Sequence, residues 1–302
     1  MHNARGFAKS NCRNLAQNGF RGAAKFAMVR PVTATQPPGM IVATWNVNSI
    51  KQRGENLAAW LRERQPDIVC LQETKTQDDS FPREPIEALG YNVAIHGQKT
   101  FNGVAILSKL PFDEVTPRLP GDEGDDHARF LEAVVSTKTG ALRVASIYLP
   151  NGNPPNTDKY PYKLKWMDRL LKYAHERMKL EEPLVLAGDY NAIPAPSDVH
   201  NPELWVNDAL FLPTTRAKFR ALVNLGLTDS IRAVSDEPGL YTFWDYQAGA
   251  WQKNNGIRID HLLLSPPAAD RLVTAGIDKH VRSWEKPSDH VPVWIELALE
   301  AR

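Results

Sequence analysis

Five short polar clusters adjoin apolar runs in this chain: Trp45-Asn46-Val47-Asn48, Gln72-Glu73-Thr74-Lys75, Gly188-Asp189-Tyr190-Asn191, Arg258-Ile259-Asp260 and Ser288-Asp289-His290. Carboxylates and amides that recur where strands begin or end point to one shared site. A strand ending at a sheet edge and an antiparallel neighbour starting there bring their polar flanks together. Hard oxygen ligands in such a place suit Mg²⁺ or Mn²⁺. A His next to a carboxylate adds an acid–base or electrostatic group. The chemistry implied is attack by water on a phosphate ester.

Within that set, Glu73 ends an apolar strand and is the first choice for a metal ligand, while Asn46 can add a neutral oxygen or orient a water. Asp189 can accept a proton from water and Asn191 can hold a phosphate oxygen. Gly188 is expected to permit an unusual backbone angle just before them. A carboxylate such as Asp260 or Asp289, accepting from one nitrogen of His290, would fix its tautomer and favour the cation, which can donate to a phosphoryl oxygen. Tyr148 and Asn151, at the end of another apolar run, could contact a phosphate. Each of these residues alone is as readily a turn residue, a helix cap or a packing group. The argument rests on the set. His175 is expected at the surface and His261 on a strand face.

The elements that must position these residues alternate from Met40 onward. Strands are expected at Met40–Trp45, Asp67–Leu71, Tyr91–His96, Gly103–Ser108, Leu184–Ala187, Arg258–Leu264 and Val291–Leu299, with a hairpin of Phe130–Ser136 and Leu142–Tyr148 around Thr139-Gly140. Helices are expected at 54–64, at 160–179, where Leu164, Met167, Leu170, Leu171, Ala174 and Met178 keep the helical period, and at 214–225 with a Thr available as cap. Apolar strands with helices between them, some in hairpins, imply an α/β (α+β) fold of packed sheets covered by helices. There is no internal repeat and no linker within 40–302, so that stretch reads as one domain.

Composition narrows the class. Hydrophobic residues make up 42% of the 302 and charged residues 24%, as in an ordinary globular protein. No apolar run approaches the roughly 18 residues of a membrane span. The two cysteines, Cys12 and Cys70, cannot form a disulfide framework, and Cys70 reads as a buried thiol in a reducing compartment. Residues 1–39 hold six of the 36 Lys and Arg and no acid, so 40–302 carry 30 basic against 35 acidic residues, a net charge of −5. Any nucleic-acid contact must therefore come from a local basic face. The basic 1–39 segment reads as a disordered extension: a transit peptide, a nucleic-acid-touching arm, or translated upstream sequence ahead of a start at Met40. There is no Gly-Lys-Ser/Thr phosphate loop, GxGxxG or GxSxG, so nucleotide-fuelled transfer and serine-hydrolase chemistry lack support.

Leu71-Gln72-Glu73-Thr74-Lys75, His96-Gly97-Gln98-Lys99, Gly188-Asp189-Tyr190-Asn191, Arg258-Ile259-Asp260 and Pro287-Ser288-Asp289-His290-Val291-Pro292-Val293 occur in an order that resembles the exonuclease III family of apurinic/apyrimidinic endonucleases, over about 40–302. The resemblance implies a four-layer sandwich, two mixed sheets flanked by helices, within the endonuclease/exonuclease/phosphatase superfamily. It implies a Mg²⁺-dependent enzyme, with Mn²⁺ as a substitute, that cuts duplex DNA 5′ to abasic sites and acts on 3′ ends. By the same resemblance Glu73 is the main metal ligand, with Asn46, Asp189, Asn191, Asp289 and His290 around the metal. Asp189 activates water, Asn191 positions it or the phosphate, Asp260 pairs with His290, and Tyr148 and Asn151 contact the phosphate. Phe243, Trp251 and Ile257 are expected at the abasic-sugar pocket and its rim, and Lys75 and Arg129, with Arg53 and Lys99, on the DNA backbone. Asn48 stands where some relatives carry an acid, which weakens a two-metal scheme, and Phe243 where the bacterial prototype has Trp. The expected working form is a cytoplasmic monomer without membrane contact, or a mitochondrial one if residues 1–39 are a transit peptide. Rival readings are a DNase I-like or inositol-phosphate phosphoesterase of the same superfamily, and a DNA-binding scaffold without catalysis.

Overall fold

The computed structural model describes residues 39–301. The basic extension expected at the N-terminus, and Cys12 within it, lie outside the described residues, apart from Gly39.

Among the described residues, twelve strands form two mixed six-stranded sheets. The first contains β1 (Met40–Asn46), β2 (Ile68–Gln72), β3 (Asn92–His96), β4 (Val104–Ser108), β11 (Leu272–Ile277) and β12 (Val293–Leu297), in the order β11-β12-β1-β2-β4-β3. The second contains β5 (Glu114–Pro117), β6 (Phe130–Thr137), β7 (Gly140–Tyr148), β8 (Leu184–Asp189), β9 (Thr228–Asp229) and β10 (Asp260–Leu264), in the order β5-β6-β7-β8-β10-β9. Each sheet has one parallel pair near its centre, β1–β2 and β7–β8, joined by a helical crossover. These crossovers are α1 (Ile50–Arg64) and α3 (Lys159–Met178); α2 (Glu84–Glu87) is a single turn, and α4 (Pro213–Asn224) packs with α3.

The period of two along each strand explains the layers. In β1, Val42 points between the sheets, into a core with Cys70, Ile106, Val144, Val185, Leu262 and Ile295. Its neighbours Ala43 and Trp45 point outward against Leu57, Trp60 and Leu61 of α1. On the far side, Ile147 and Leu186 meet Trp166, Met167 and Leu170 of α3 and Phe219 and Leu222 of α4. Helix, sheet, sheet and helix make the four layers expected. Central strands buried on both faces carry continuous apolar runs, which is why they stand out in the sequence.

Three local expectations are corrected. Gly188 has no left-handed backbone; it is needed because a Cβ there would stand 1.9 Å from the carbonyl oxygen of Ile147 on the parallel neighbour. No threonine caps α4: Leu212 occupies the cap, and Thr215 donates instead to the Ala209 carbonyl at 2.7 Å. The buried face of α3 runs through Lys163, Trp166, Met167, Leu170, Tyr173 and Ala174, so Lys163 takes the place assigned to Leu164.

Candidate active site

The carboxyl ends of the two parallel pairs lie together. Asn46 closes β1 beside Gln72 of β2, and Tyr148 closes β7 beside Asp189 of β8. Asp260, the first residue of antiparallel β10, sits opposite Asp189. His290 precedes β12, so it arrives from the first sheet to meet Asp260 of the second. Glu73, one residue past β2, and Asn191, two past β8, both have left-handed backbones, with φ of 51° and 44°. Such angles are uncommon for side chains with a Cβ and persist where surrounding contacts hold them. At Glu73 one such contact is the Ser49 N–H, which donates to its carbonyl at 2.7 Å.

Carboxylate oxygens of Glu73 and Asp189 and a ring nitrogen of His290 all lie within 4.8 Å of one another. The Asn46 Nδ2 donates to Glu73 Oε1 at 2.9 Å and to Asp189 Oδ2 at 3.0 Å, while its Oδ1 accepts from the Asn48 N–H at 3.0 Å. Asn46 therefore shows its nitrogen, not its oxygen, to the cluster and acts as a spacer between two acids. Lys75 Nζ stands 2.7 Å from Glu73 Oε2 and donates to Asn48 Oδ1 at 2.5 Å. Burial works to raise the Glu73 carboxyl, but Lys75 and the Asn46 amide outweigh it and hold Glu73 below its ordinary range.

His290 is nearly enclosed. Its Nδ1 lies 2.9 and 3.1 Å from the two Asp260 oxygens, and its Nε2 lies 3.8 Å from Asp189 Oδ2. Burial alone would lower its pKa; Asp260, then Asp189 and Asp289, outweigh it and raise it to about 10. The imidazole is thus a cation at neutral pH. Thr242 holds Asp260 in place: its hydroxyl donates to Asp260 Oδ2 at 2.6 Å and accepts from the backbone N–H groups of Ile259 and Asp260. Asp189 is driven upward to about 7 by burial, with His290 opposing and Asp260 and Glu73 assisting. A carboxylate poised there can exchange a proton with water near neutrality. Burial and the nearby Glu73 carboxylate hold the Tyr148 phenol well above its usual range, against Arg129, whose guanidinium stacks 4.7 Å from the ring.

Two amides complete this rim. Asn151 Nδ2 donates to Asn191 Oδ1 at 2.9 Å, and Asn191 Nδ2 donates to the Leu149 carbonyl at 2.9 Å and to Asp189 Oδ2 at 3.3 Å. With its oxygen accepting from Asn151 and its nitrogen donating to Asp189, Asn191 links the amide pair to the acid. Asp289 stands outside the cluster of ligand atoms and accepts from Asn48 Nδ2 at 3.0 Å. A cationic His290 donates rather than ligates. What remains is a pair of hard oxygen donors, Glu73 and Asp189, and that pair fits a divalent cation.

The apolar residues separate into two groups. Phe243 stacks edge-on to His290 with ring centroids 4.9 Å apart, pairs with Ile257, and joins it in a cluster with Val199, Trp205 and Phe211. Trp251 belongs elsewhere: it packs 5.0 Å from Trp244, with Lys279 and Arg282 over its face, in a separate cluster. Its expected place at the pocket is corrected accordingly. Lys75 pairs with Glu73, and Arg129 stacks on Tyr148, both partly exposed at the site. Thr242 and Lys163 were not singled out from sequence, because their partners are distant along the chain. Lys163, pulled down to about 7 by burial against Asp208 and Asp189, sits directly behind the two amides.

Comparison with known proteins agrees with this geometry. Residues 43–290 match the endonuclease/exonuclease/phosphatase family. Exodeoxyribonuclease III of Haemophilus influenzae is 35% identical over 261 residues, covering 84% of this chain and 98% of that protein. An exodeoxyribonuclease of Bacillus subtilis is 32% identical, with 84% and 98% covered. Among solved structures, an AP endonuclease from Archaeoglobus fulgidus superposes with a TM-score of 0.81 at 36% identity, covering 85% of this chain and 99% of that one. A 3′ phosphatase from Neisseria bound to a product DNA hairpin gives 0.82 at 38% identity, with the same coverage. With the family match over residues 43–290 and these relatives covered almost end to end, the chain belongs to the endonuclease/exonuclease/phosphatase family, among the relatives of exodeoxyribonuclease III, and is a hydrolase of that family.

Proposed function

We propose that this protein is a DNA-repair nuclease that hydrolyses the phosphodiester 5′ to abasic sites in duplex DNA and also acts on 3′ ends as an exonuclease and phosphatase. The observation that carries the reading is the convergence of Glu73, Asp189 and His290 on one spot, with His290 held as a cation by Asp260. The AP endonuclease, 3′ phosphatase and exodeoxyribonuclease names among its relatives support the substrate class. The working unit in this reading is a cytoplasmic monomer whose catalytic part spans 40–302.

Glu73 and Asp189 would hold Mg²⁺, and the cation would supply positive charge to offset the charge of the phosphate. Asp189 takes a proton from the attacking water; burial raises its carboxyl, and a bound cation would lower it again. Tyr148, kept protonated, donates to a phosphate oxygen, so Asp189 is the better base of the two. The imidazolium of His290 stabilises charge that builds on the phosphoryl oxygens, and Asn151 and Asn191 fix the phosphate. Phe243 and Ile257 form the apolar wall that takes a bare sugar. An abasic nucleotide has lost its stacked base, so extruding it costs less than flipping an intact one.

The full chain should nick a duplex carrying one tetrahydrofuran site in Mg²⁺ and stop when EDTA is added. Incision that survives EDTA would end the metal assignment. Internal cutting of an undamaged duplex at the same rate would end the pocket assignment.

A further inference from the structure

Lys163 is a fully buried residue on the inner face of α3. Its amine donates to the backbone carbonyl of Asn151 at 2.9 Å and to that of Asn191 at 2.5 Å. Burying a lysine is costly unless its N–H groups find partners. Here the partners are main-chain oxygens of two residues from different loops, one after β7 and one after β8.

The loop after β7 is shaped around this side chain. Gly152 has a φ of +87°, and a Cβ there would stand 2.6 Å from Lys163 Cδ and 3.2 Å from Ala209 Cβ. Asn153 then ties the loop onward, donating to Asp208 at 3.1 Å and accepting from the Ala209 N–H at 3.0 Å. On the other loop, the left-handed backbone of Asn191 is held from both sides. Its N–H donates to Asp189 Oδ1 at 2.8 Å, and its carbonyl accepts from Lys163. The outward consequence is the single linked amide pair, Asn151 to Asn191 to Asp189, at the rim of the site.

We propose that Lys163 is a positioning residue: from behind the rim it clamps the backbones of Asn151 and Asn191 so that their side-chain amides present one preorganised phosphate-binding pair. Lys163 touches neither substrate nor reacting atoms and acts through these two residues. What the amides bind rests on the phosphodiesterase reading above; the clamp itself does not.

Lys163→Met in the full chain keeps the length of the stem and removes the donors. Single-turnover incision of the tetrahydrofuran duplex should slow by ~10²-fold, the scale for a reacting group displaced by about 1 Å, with KM changed less than about threefold. Because Lys163 acts through both amides, the same substitution in an Asn151→Ala, Asn191→Ala background should cost no more than about threefold. An equal loss in both backgrounds would overturn the proposal and leave Lys163 a packing residue. If Lys163→Met does not fold, Lys163→Gln, which is shorter and keeps a donor, goes through the same cycle and the same comparison decides. A wild-type chain that fails to cut the abasic duplex sinks the substrate reading alone. In that event the side-chain amide NMR signals of Asn151 and Asn191 carry the test: they move in Lys163→Met if the clamp is real, and unmoved signals refute it.

Discussion

Replacing Asp260 with Asn should convert a rate that holds on the alkaline side of neutrality into one that collapses there. Asp260 and its acidic neighbours raise His290 from its ordinary 6.5 to about 10, although burial works in the opposite direction. At 1.4 kcal/mol per unit, that is about 5 kcal/mol in favour of the cation, and Asp260 is the largest contributor. The sign follows from the two states. The unfolded imidazole releases its proton near 6.5 and the folded one near 10. The ion pair's contribution to stability is therefore complete below 6.5 and is lost as pH rises through 10. Removing one adjacent charge shifts a pKa by about 1–3 units, so in Asp260→Asn His290 should titrate near roughly 7 to 9, with burial now less opposed. At pH 9 half or more of the variant would be neutral at His290. Loss of an electrostatic donor of this kind costs ~10²–10³ in rate. Incision under single-turnover conditions from pH 5.5 to 9.5 measures this, and ¹⁵N-histidine NMR reads the titration directly. The wild type should show no His290 deprotonation below pH 9, and the variant should regain part of its rate on acidification. A variant whose profile runs parallel to the wild type, with His290 still titrating near 10, would refute the assignment of Asp260 as the group that keeps the imidazole charged.

Two further outcomes follow from the same geometry. His261, fully buried against Arg258, is pushed down to about 4 chiefly by burial. Because its unfolded pKa is higher, stability should be intact above pH 6.5 and fall as pH drops through 6.5 towards 4, by about 3 kcal/mol in all. Urea titrations at pH 7 and pH 4.5 should show that slope, and a His261→Gln variant should have less of it. Phe243→Ala, which removes the ring packed 4.9 Å from His290, should lower abasic-site incision about tenfold through lost alignment while affecting 3′-phosphate release less. Equal losses on both substrates would separate Phe243 from the sugar pocket.

The parts of this fold that are plain in the sequence are those with the strongest packing signal. β1, β2, β8 and β10 are buried on both faces, and their apolar runs announce them. The strands missed are thinner. β5 is mostly exposed, β9 has two residues, and β11 is a half-buried edge, so none carries a run or a clean alternation. For the site, a polar residue at the end of an apolar run is visible locally, which is why Glu73, Asp189, Asp260 and His290 could be chosen before any coordinates. Their partners are set by tertiary contacts. Nothing near Thr242 tells of its bond to Asp260, and nothing near Lys163 tells of carbonyls 12 and 28 positions away. The orientation of the Asn46 amide depends on the nearby Asn48 N–H and on two acids that are both distant in the chain. Periodicity placed a leucine where α3 buries its lysine, because a pattern of apolar residues gives no weight to an amine satisfied at depth.

Asn46, Glu73 and His290 come from one sheet, and Tyr148, Asp189 and Asp260 from the other. The hydrogen bond from the Asn46 amide to Asp189 and that between the His290 ring and Asp260 both cross the seam. Turnover is therefore a gauge of how the two halves of the sandwich sit on each other. Mild urea or pressure that lets them slip by an ångström should silence the enzyme while far-ultraviolet dichroism still registers every strand.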